Sequence, residues 1–140
     1  MALIVDAGAL FAQADRDDPE HEAVAAALRE ERDTLVSTQL AVAEADYLIL
    51  NRLGVEAELA FLEDLAAGTF LVECLSRADL TTARDLVLKY DDLRPGLADC
   101  SIVIIAARYK TRRLLTLNQR DFRVMRPLQG GTFTLLPADR

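Results

Sequence analysis

The 140-residue sequence has no tryptophan, a single histidine and two cysteines. Each shortage excludes something. His21 has no partner for a Ser–His or Cys–His nucleophile, and without a second histidine or a His/Cys cluster a zinc site is not expected. Cys74 and Cys100 form neither a CxxC pair nor a zinc-ligand spacing, which argues against a disulfide scaffold and a zinc ribbon and points to a reducing, cytoplasmic location. No apolar run reaches the roughly 18 residues of a membrane helix. The start, MALIVDAGAL, has no basic leader and is interrupted by Asp6, so a signal peptide is not expected. The P-loop pattern GxxxxGKS/T and the dinucleotide pattern GxGxxG are both missing.

Apolar residues make up 51% of the chain and charged residues 28%. That balance, with no Pro-rich linker, repeat or low-complexity block, predicts one globular domain over residues 1–140. The net charge of −7 argues against wrapping nucleic acid. Its distribution is uneven. Residues 101–140 hold eight basic and two acidic side chains, a net of +6, and residues 1–100 hold the remaining eight basic and 21 acidic ones, a net of −13. An acidic centre beside a basic rim fits this pattern, and so does a mixed solvated surface.

Strands and helices alternate along the chain. Leu3-Ile4-Val5 reads as a buried strand, followed by a helix over 9–14. Asp18 and Pro19 predict the start of a helix running to about Glu31. Residues 34–37 read as a second strand. Thr38 can cap a helix over 39–53 in which Leu40, Ala43, Tyr47 and Leu50 recur at helical spacing, with Gly54 as its stop. A helix over 55–67, a strand over 69–74 and a helix opened by Ser76 or Asp79 and ending near Tyr90 follow. Leu97–Tyr109 is apolar enough to be a central helix. Strands are expected at 113–117 and 132–136. Five short strands between helices predict a three-layer α/β fold with a central, mainly parallel sheet. In such folds the site lies at the carboxyl ends of the strands.

Acidic residues fall where that rule looks. Asp6 ends the first strand, as a site carboxylate or as a helix cap. Asp99 opens the most apolar helix, where the helix terminus favours an anion, and a cap is again the alternative. Glu44 stands among small residues on its helix, which lets a backbone approach, although a lone helical Glu is commonly solvated. Asn118 and Asp121 follow a strand end and can reach a metal directly or through water, or simply build a turn. Hard oxygen donors of this kind select Mg²⁺ or Mn²⁺. A phosphate-accepting receiver domain also has an Asp after a strand, but Asp6-Ala7 lacks the acidic pair such a domain needs.

Four segments together resemble the acidic motif regions of PIN domains: Val5-Asp6-Ala7-Gly8-Ala9-Leu10, Leu40-Ala41-Val42-Ala43-Glu44-Ala45, Leu97-Ala98-Asp99-Cys100-Ser101-Ile102 and Thr116-Leu117-Asn118-Gln119-Arg120-Asp121-Phe122. Order and spacing match over essentially the whole chain. The length and the Asp-Asp-Pro-Glu-His segment at 17–21 are similar to the toxin branch, the VapC-type ribonucleases of toxin–antitoxin pairs. The resemblance implies an endoribonuclease that uses Mg²⁺, or Mn²⁺ in its place, and cleaves structured or single-stranded RNA loops of the tRNA or rRNA class. It also implies a homodimer and a cognate antitoxin. Asp6, Glu44 and Asp99 map onto three acidic positions. The fourth is commonly Asp and is Asn118 here, with Asp121 able to compensate; Gly8 lacks the hydroxyl often found at its position. The implied catalytic set is Asp6, Glu44, Asp99 and Asp121, and the implied metal set is Asp6, Glu44, Asp99 and Asn118. Arg108, Arg112, Arg113 and Arg120 would hold flanking phosphates. A catalytically impaired RNA-binding or scaffold subunit is the alternative, and Asn118 is the feature that favours it.

Overall fold

Residues 1–140 are described by a computed structural model. Strand β1 (Leu3–Val5) is three apolar residues, each fully buried. Burial on both faces is what an apolar run without alternation requires, and it is met by a parallel sheet covered on two sides. The remaining strands are β2 (Leu35–Thr38), β3 (Leu71–Glu73), β4 (Arg113–Leu115) and β5 (Thr134–Leu136). They pair in the order β3-β2-β1-β4-β5, and every pairing is parallel. All five carboxyl ends therefore lie along one edge. The strand order reverses at β1, the point where open α/β sheets hold their sites.

The helices are α1 (Ala7–Ala14), α2 (His21–Glu30), α3 (Gln39–Leu53), α4 (Val55–Ala66), α5 (Arg77–Lys89), α6 (Leu97–Arg108) and the single turn α7 (Gln119–Phe122). Thr38 caps α3 by accepting from the Ala41 N–H. Gly54, at φ 100, makes the α3–α4 corner in a conformation that L side chains avoid. Ser76 and Asp79 form a reciprocal capping box on α5. Helix α6 is buried continuously from Cys100 to Ala106, the central position its composition predicts.

Two expectations need correction. Helix α2 starts at His21, later than the Asp18-Pro19 signal suggests, because Asp18 is used in a turn: its carboxylate accepts from the Glu20 N–H. The apolar stripe Leu40-Ala43-Tyr47-Leu50 is not the core face of α3. Tyr47 and Leu50 are exposed, and Ala41, Ala45 and Ile49 are buried instead. Helix α3 is apolar on two faces, and the small-residue face goes inward because α3 packs against both α1 and α6.

Candidate active site

The carboxyl edge gathers carboxylates from four elements. Asp6 follows β1 directly and caps α1. It is 5% exposed, and both of its oxygens are held: Oδ1 accepts from the Ala7 N–H at 2.7 Å and Oδ2 accepts from the Thr116 hydroxyl at 2.8 Å. Burial raises its pKa, the two hydrogen bonds oppose that, and the Glu44 charge adds to the rise. Asp99 lies in the first turn of α6, half-buried. Its pKa is pushed up to about 7, first by burial and then by the charges of Asp6, Asp121 and Glu44. Glu44, on α3, is exposed. Asp121, in α7, is buried beside them.

Asn118 has a different place from the one expected of a metal ligand. Its side chain caps α7, with Oδ1 accepting from the Asp121 N–H at 3.3 Å and Nδ2 donating to Asp121 Oδ2 at 3.1 Å. Its backbone N–H donates to Thr116 Oγ1 at 3.0 Å. The carboxylate contributed by this loop to the cluster is that of Asp121, and Asn118 orients it.

Of the four candidate arginines only Arg120 stands at the cluster, donating from Nε to Asp121 Oδ1 at 3.1 Å. Arg108 lies nine residues along α6 from Asp99, on the order of 13 Å. It is bonded to Glu73 Oε1 at 3.1 Å, to Asp79 and to the Cys74 carbonyl. Arg112 and Arg113 open β4 at the opposite, amino edge. Arg112 is taken up by the carbonyls of Gly130 and Gln129, and Arg113 by Glu31 and the Met1 carbonyl. A parallel strand sends its two ends to opposite edges, so residues adjacent in sequence to the site loop are remote from it.

No three acidic, histidine or cysteine side chains converge as a finished metal cage. The donor chemistry nevertheless fits a hard divalent cation. The donors are all carboxylate oxygens, the charges of Asp6, Asp121 and Glu44 add to the raised pKa of Asp99, and Arg120 is the one cation paired with any of them. Residues missed in the sequence are hydroxyls. Thr116 holds Asp6, and Ser37, Thr38 and Ser101 are buried nearby. The available signal was a hydroxyl at the end of an otherwise apolar strand or within an apolar helix.

A family model for the PIN domain matches residues 3–126. The chain belongs to the PIN-domain family. Ribonuclease VapC26 of Mycobacterium tuberculosis is 43% identical over 135 residues, covering 96% of this chain and all of that protein. The crystal structure of Mycobacterium tuberculosis VapC20, described as a Sarcin-Ricin loop cleaving toxin, superposes with a TM-score of 0.78 over 84% of this chain and 90% of its own. At 13% identity that second likeness speaks for the PIN fold alone.

Proposed function

We propose that this PIN-domain chain is an endoribonuclease toxin that works with Mg²⁺ or Mn²⁺ at the carboxyl edge of its sheet. The observation that carries the reading is the cluster of Asp6, Glu44, Asp99 and Asp121 with Arg120 as its one paired cation; burial first, and then the charges of the other three, push the Asp99 pKa up to about 7. Four carboxylates with a single paired cation are costly to a fold, and a bound divalent ion relieves that cost. Asp6, Glu44, Asp99 and Asp121 would hold the ion, and Asn118 would position Asp121. When bound, Mg²⁺ or Mn²⁺ supplies positive charge to the phosphoryl oxygens and lowers the pKa of the attacking water.

The protein's own residues supply the rest. Thr116 and the Ala7 N–H fix the Asp6 carboxylate, so it cannot turn away as substrate enters. Asp99 keeps a proton on part of the population at neutral pH and must lose it to act as a ligand. Arg120, exposed beside Asp121, would hold a flanking phosphate. The substrate is RNA in a single-stranded or looped form, because a duplex keeps its backbone and bases out of a cleft. A cognate antitoxin and a second copy of this chain are the proposed partners. The exposed apolar residues Tyr47 and Leu50 of α3 and Val55, Leu59 and Leu62 of α4 support a partner of some kind. No helix is long and apolar enough to cross a membrane. We place the protein in the cytoplasm, with its RNA.

The impaired-subunit alternative rested on Asn118, and Asp121 restores a carboxylate at that corner. The test is cleavage of single-stranded RNA by the purified protein with Mg²⁺, with Mn²⁺ and with EDTA. Cleavage with either metal and none in EDTA is expected. Robust cleavage in EDTA would falsify the metal reading, and binding of RNA without cleavage in any metal would favour the scaffold.

A further inference from the structure

Six of the seven buried polar or charged residues lie along the carboxyl edge, and Thr111 is the exception. Two of the six are the carboxylates Asp6 and Asp121. The other four are hydroxyls with defined partners. Ser37 Oγ donates to the carbonyl of Val5, the residue before Asp6, at 2.8 Å. Thr116 holds Asp6 itself. Thr38 Oγ1 and Ser101 Oγ are 2.7 Å apart. Ser101 donates its single proton to the Ala98 carbonyl at 2.6 Å, so Thr38 is the donor in that contact. Thr38 Oγ1 still accepts from the Ala41 N–H at 3.0 Å.

This chain of bonds joins the N-cap of α3 to the start of the second turn of α6. It is the one hydrogen bond between the β2–α3 segment and α6. The buried residues of α3 are otherwise Ala41, Ala45 and Ile49, whose packing is apolar. Apolar burial is non-directional, so a small-residue helix interface leaves sliding along the axes weakly specified. A buried hydroxyl pair is directional and short-ranged. Glu44 stands six residues beyond Thr38 on α3, and Asp99 two residues before Ser101 on α6. We propose that Thr38 and Ser101 are positioning residues that set the register of Glu44 against Asp99, and with it the affinity of the site for a divalent cation.

The inference rests on the metal reading above. Stability alone does not explain Ser101. Replacing both members of a buried hydrogen-bonded pair by apolar groups of similar shape can be nearly neutral. The α3 cap explains Thr38 in part, but it does not involve Ser101.

The experiment uses the full chain and Mn²⁺ alone, titrated by calorimetry, with thermal unfolding in EDTA as the stability readout. Ser101→Ala breaks the pair and leaves the α3 cap intact. Thr38→Val removes both, and Thr38→Ser keeps both. Ile49→Val loosens the same helix without touching the pair. Ser101→Ala and Thr38→Val are expected to weaken Mn²⁺ binding by about ten-fold or more, the scale of losing an outer residue that orients a ligand. Thr38→Ser should bind as the unaltered protein does. Ile49→Val should lower the unfolding temperature and leave Mn²⁺ affinity alone. Unaltered affinity in folded Ser101→Ala overturns the proposal, and so does an equal loss in Ile49→Val. If Thr38→Val does not fold, Ser101→Ala decides. Should the unaltered protein take up no Mn²⁺, the metal reading itself fails, and the positioning role falls with it.

Discussion

The amino edge of the sheet and the acidic cluster at its carboxyl edge treat charge in opposite ways. At the amino edge the arginines that flank the strands are paired. Arg113 forks onto Glu31, with contacts of 2.6 and 3.1 Å, the N-terminal ammonium meets Asp33, Arg140 meets Glu30, and Arg112 bonds two backbone carbonyls. Glu31 and Asp33 accordingly have lowered pKa values, caused first by their hydrogen bonds to these cations. In the cluster at the carboxyl edge the only paired carboxylate of the four is Asp121, with the exposed Arg120, and the pKa values of Asp6 and Asp99 are raised. The amino edge is built for the stability of the chain by itself. The raised pKa values of Asp6 and Asp99 mark this cluster as costly to the chain by itself, which supports the proposed cation site.

The largest expected effect comes from removing a charge at the carboxyl edge. Asp6→Ala and Asp99→Asn should each lower RNA cleavage at saturating Mg²⁺ by more than about a hundred-fold, beyond the usual loss for an outer residue. A gel-based cleavage assay measures it. Near-normal cleavage by Asp6→Ala would show that the carboxyl edge is no more functional than the amino edge.

Stability should move the other way. A carboxyl group with a raised folded pKa binds its proton more tightly in the native state than in the unfolded chain. Native stability is then lost as pH rises from the ordinary aspartate range, about 4, through the folded value of about 7. Asp99→Asn removes that loss. In EDTA the variant should unfold at a higher temperature than the unaltered protein at pH 8 and at nearly the same temperature at pH 4. Mg²⁺ should raise the unfolding temperature of the unaltered protein by several degrees and that of the variant by much less. Because Asp99 must shed a proton to act as a ligand, Mn²⁺ affinity should fall as pH drops below about 7. Equal unfolding curves at pH 8 would remove the contrast between the edges.

Arg113→Ala tests the amino edge. Losing a forked, partly exposed ion pair should cost about 1–2 kcal/mol of stability in chemical denaturation. Glu31 has a lowered pKa, so the pair's contribution is full above the ordinary glutamate value and fades as pH falls through the lower, folded one. Mn²⁺ affinity and the KM for RNA should not change. A raised KM would bring Arg113 back as a phosphate contact and extend the substrate path to the wrong side of the sheet.

The sequence made most of this contrast legible on the acidic side. Asp6, Glu44, Asp99 and Asp121 were each visible from strand ends, a helix start and motif spacing, and the fold brings them within one another's electrostatic reach. The five strands and the cap at Thr38 were legible too, because apolar runs and capping chemistry are local signals. What escaped was non-local. The basic run after residue 108 looked like a phosphate rim, but chain direction sends Arg112 and Arg113 to the far edge, and Arg108 is claimed by Glu73 and Asp79. The inward face of α3 escaped because the helix is apolar on two sides, and its neighbours chose between them. Hydroxyls such as Ser101 have no sequence signature of pairing across a distance of 63 residues.

The smallest expected effect belongs to Asn118, and it bears directly on why the carboxyl edge tolerates its charge. Asn118 Nδ2 is one of two side-chain donors on the Asp121 carboxylate, the other being Arg120. Asn118→Asp keeps the cap on the Asp121 N–H, since Asp and Asn cap about equally well. It removes the Nδ2–H donor and sets a carboxylate oxygen about where that donor stood, 3.1 Å from Asp121 Oδ2. One hydrogen bond becomes one repulsion. In EDTA at neutral pH the variant should lose about 0.5–1 kcal/mol, the net worth of one side-chain hydrogen bond, by denaturant titration. The deficit should shrink on acidification, as one carboxyl of the new pair takes up a proton to serve as the missing donor. It should also shrink with Mn²⁺, which compensates the added charge. A deficit that ignored both pH and Mn²⁺ would mean that only the geometry of the α7 turn had been disturbed. Asn118 would then be a cap and nothing more, and the charge balance of this edge would rest on Arg120 alone.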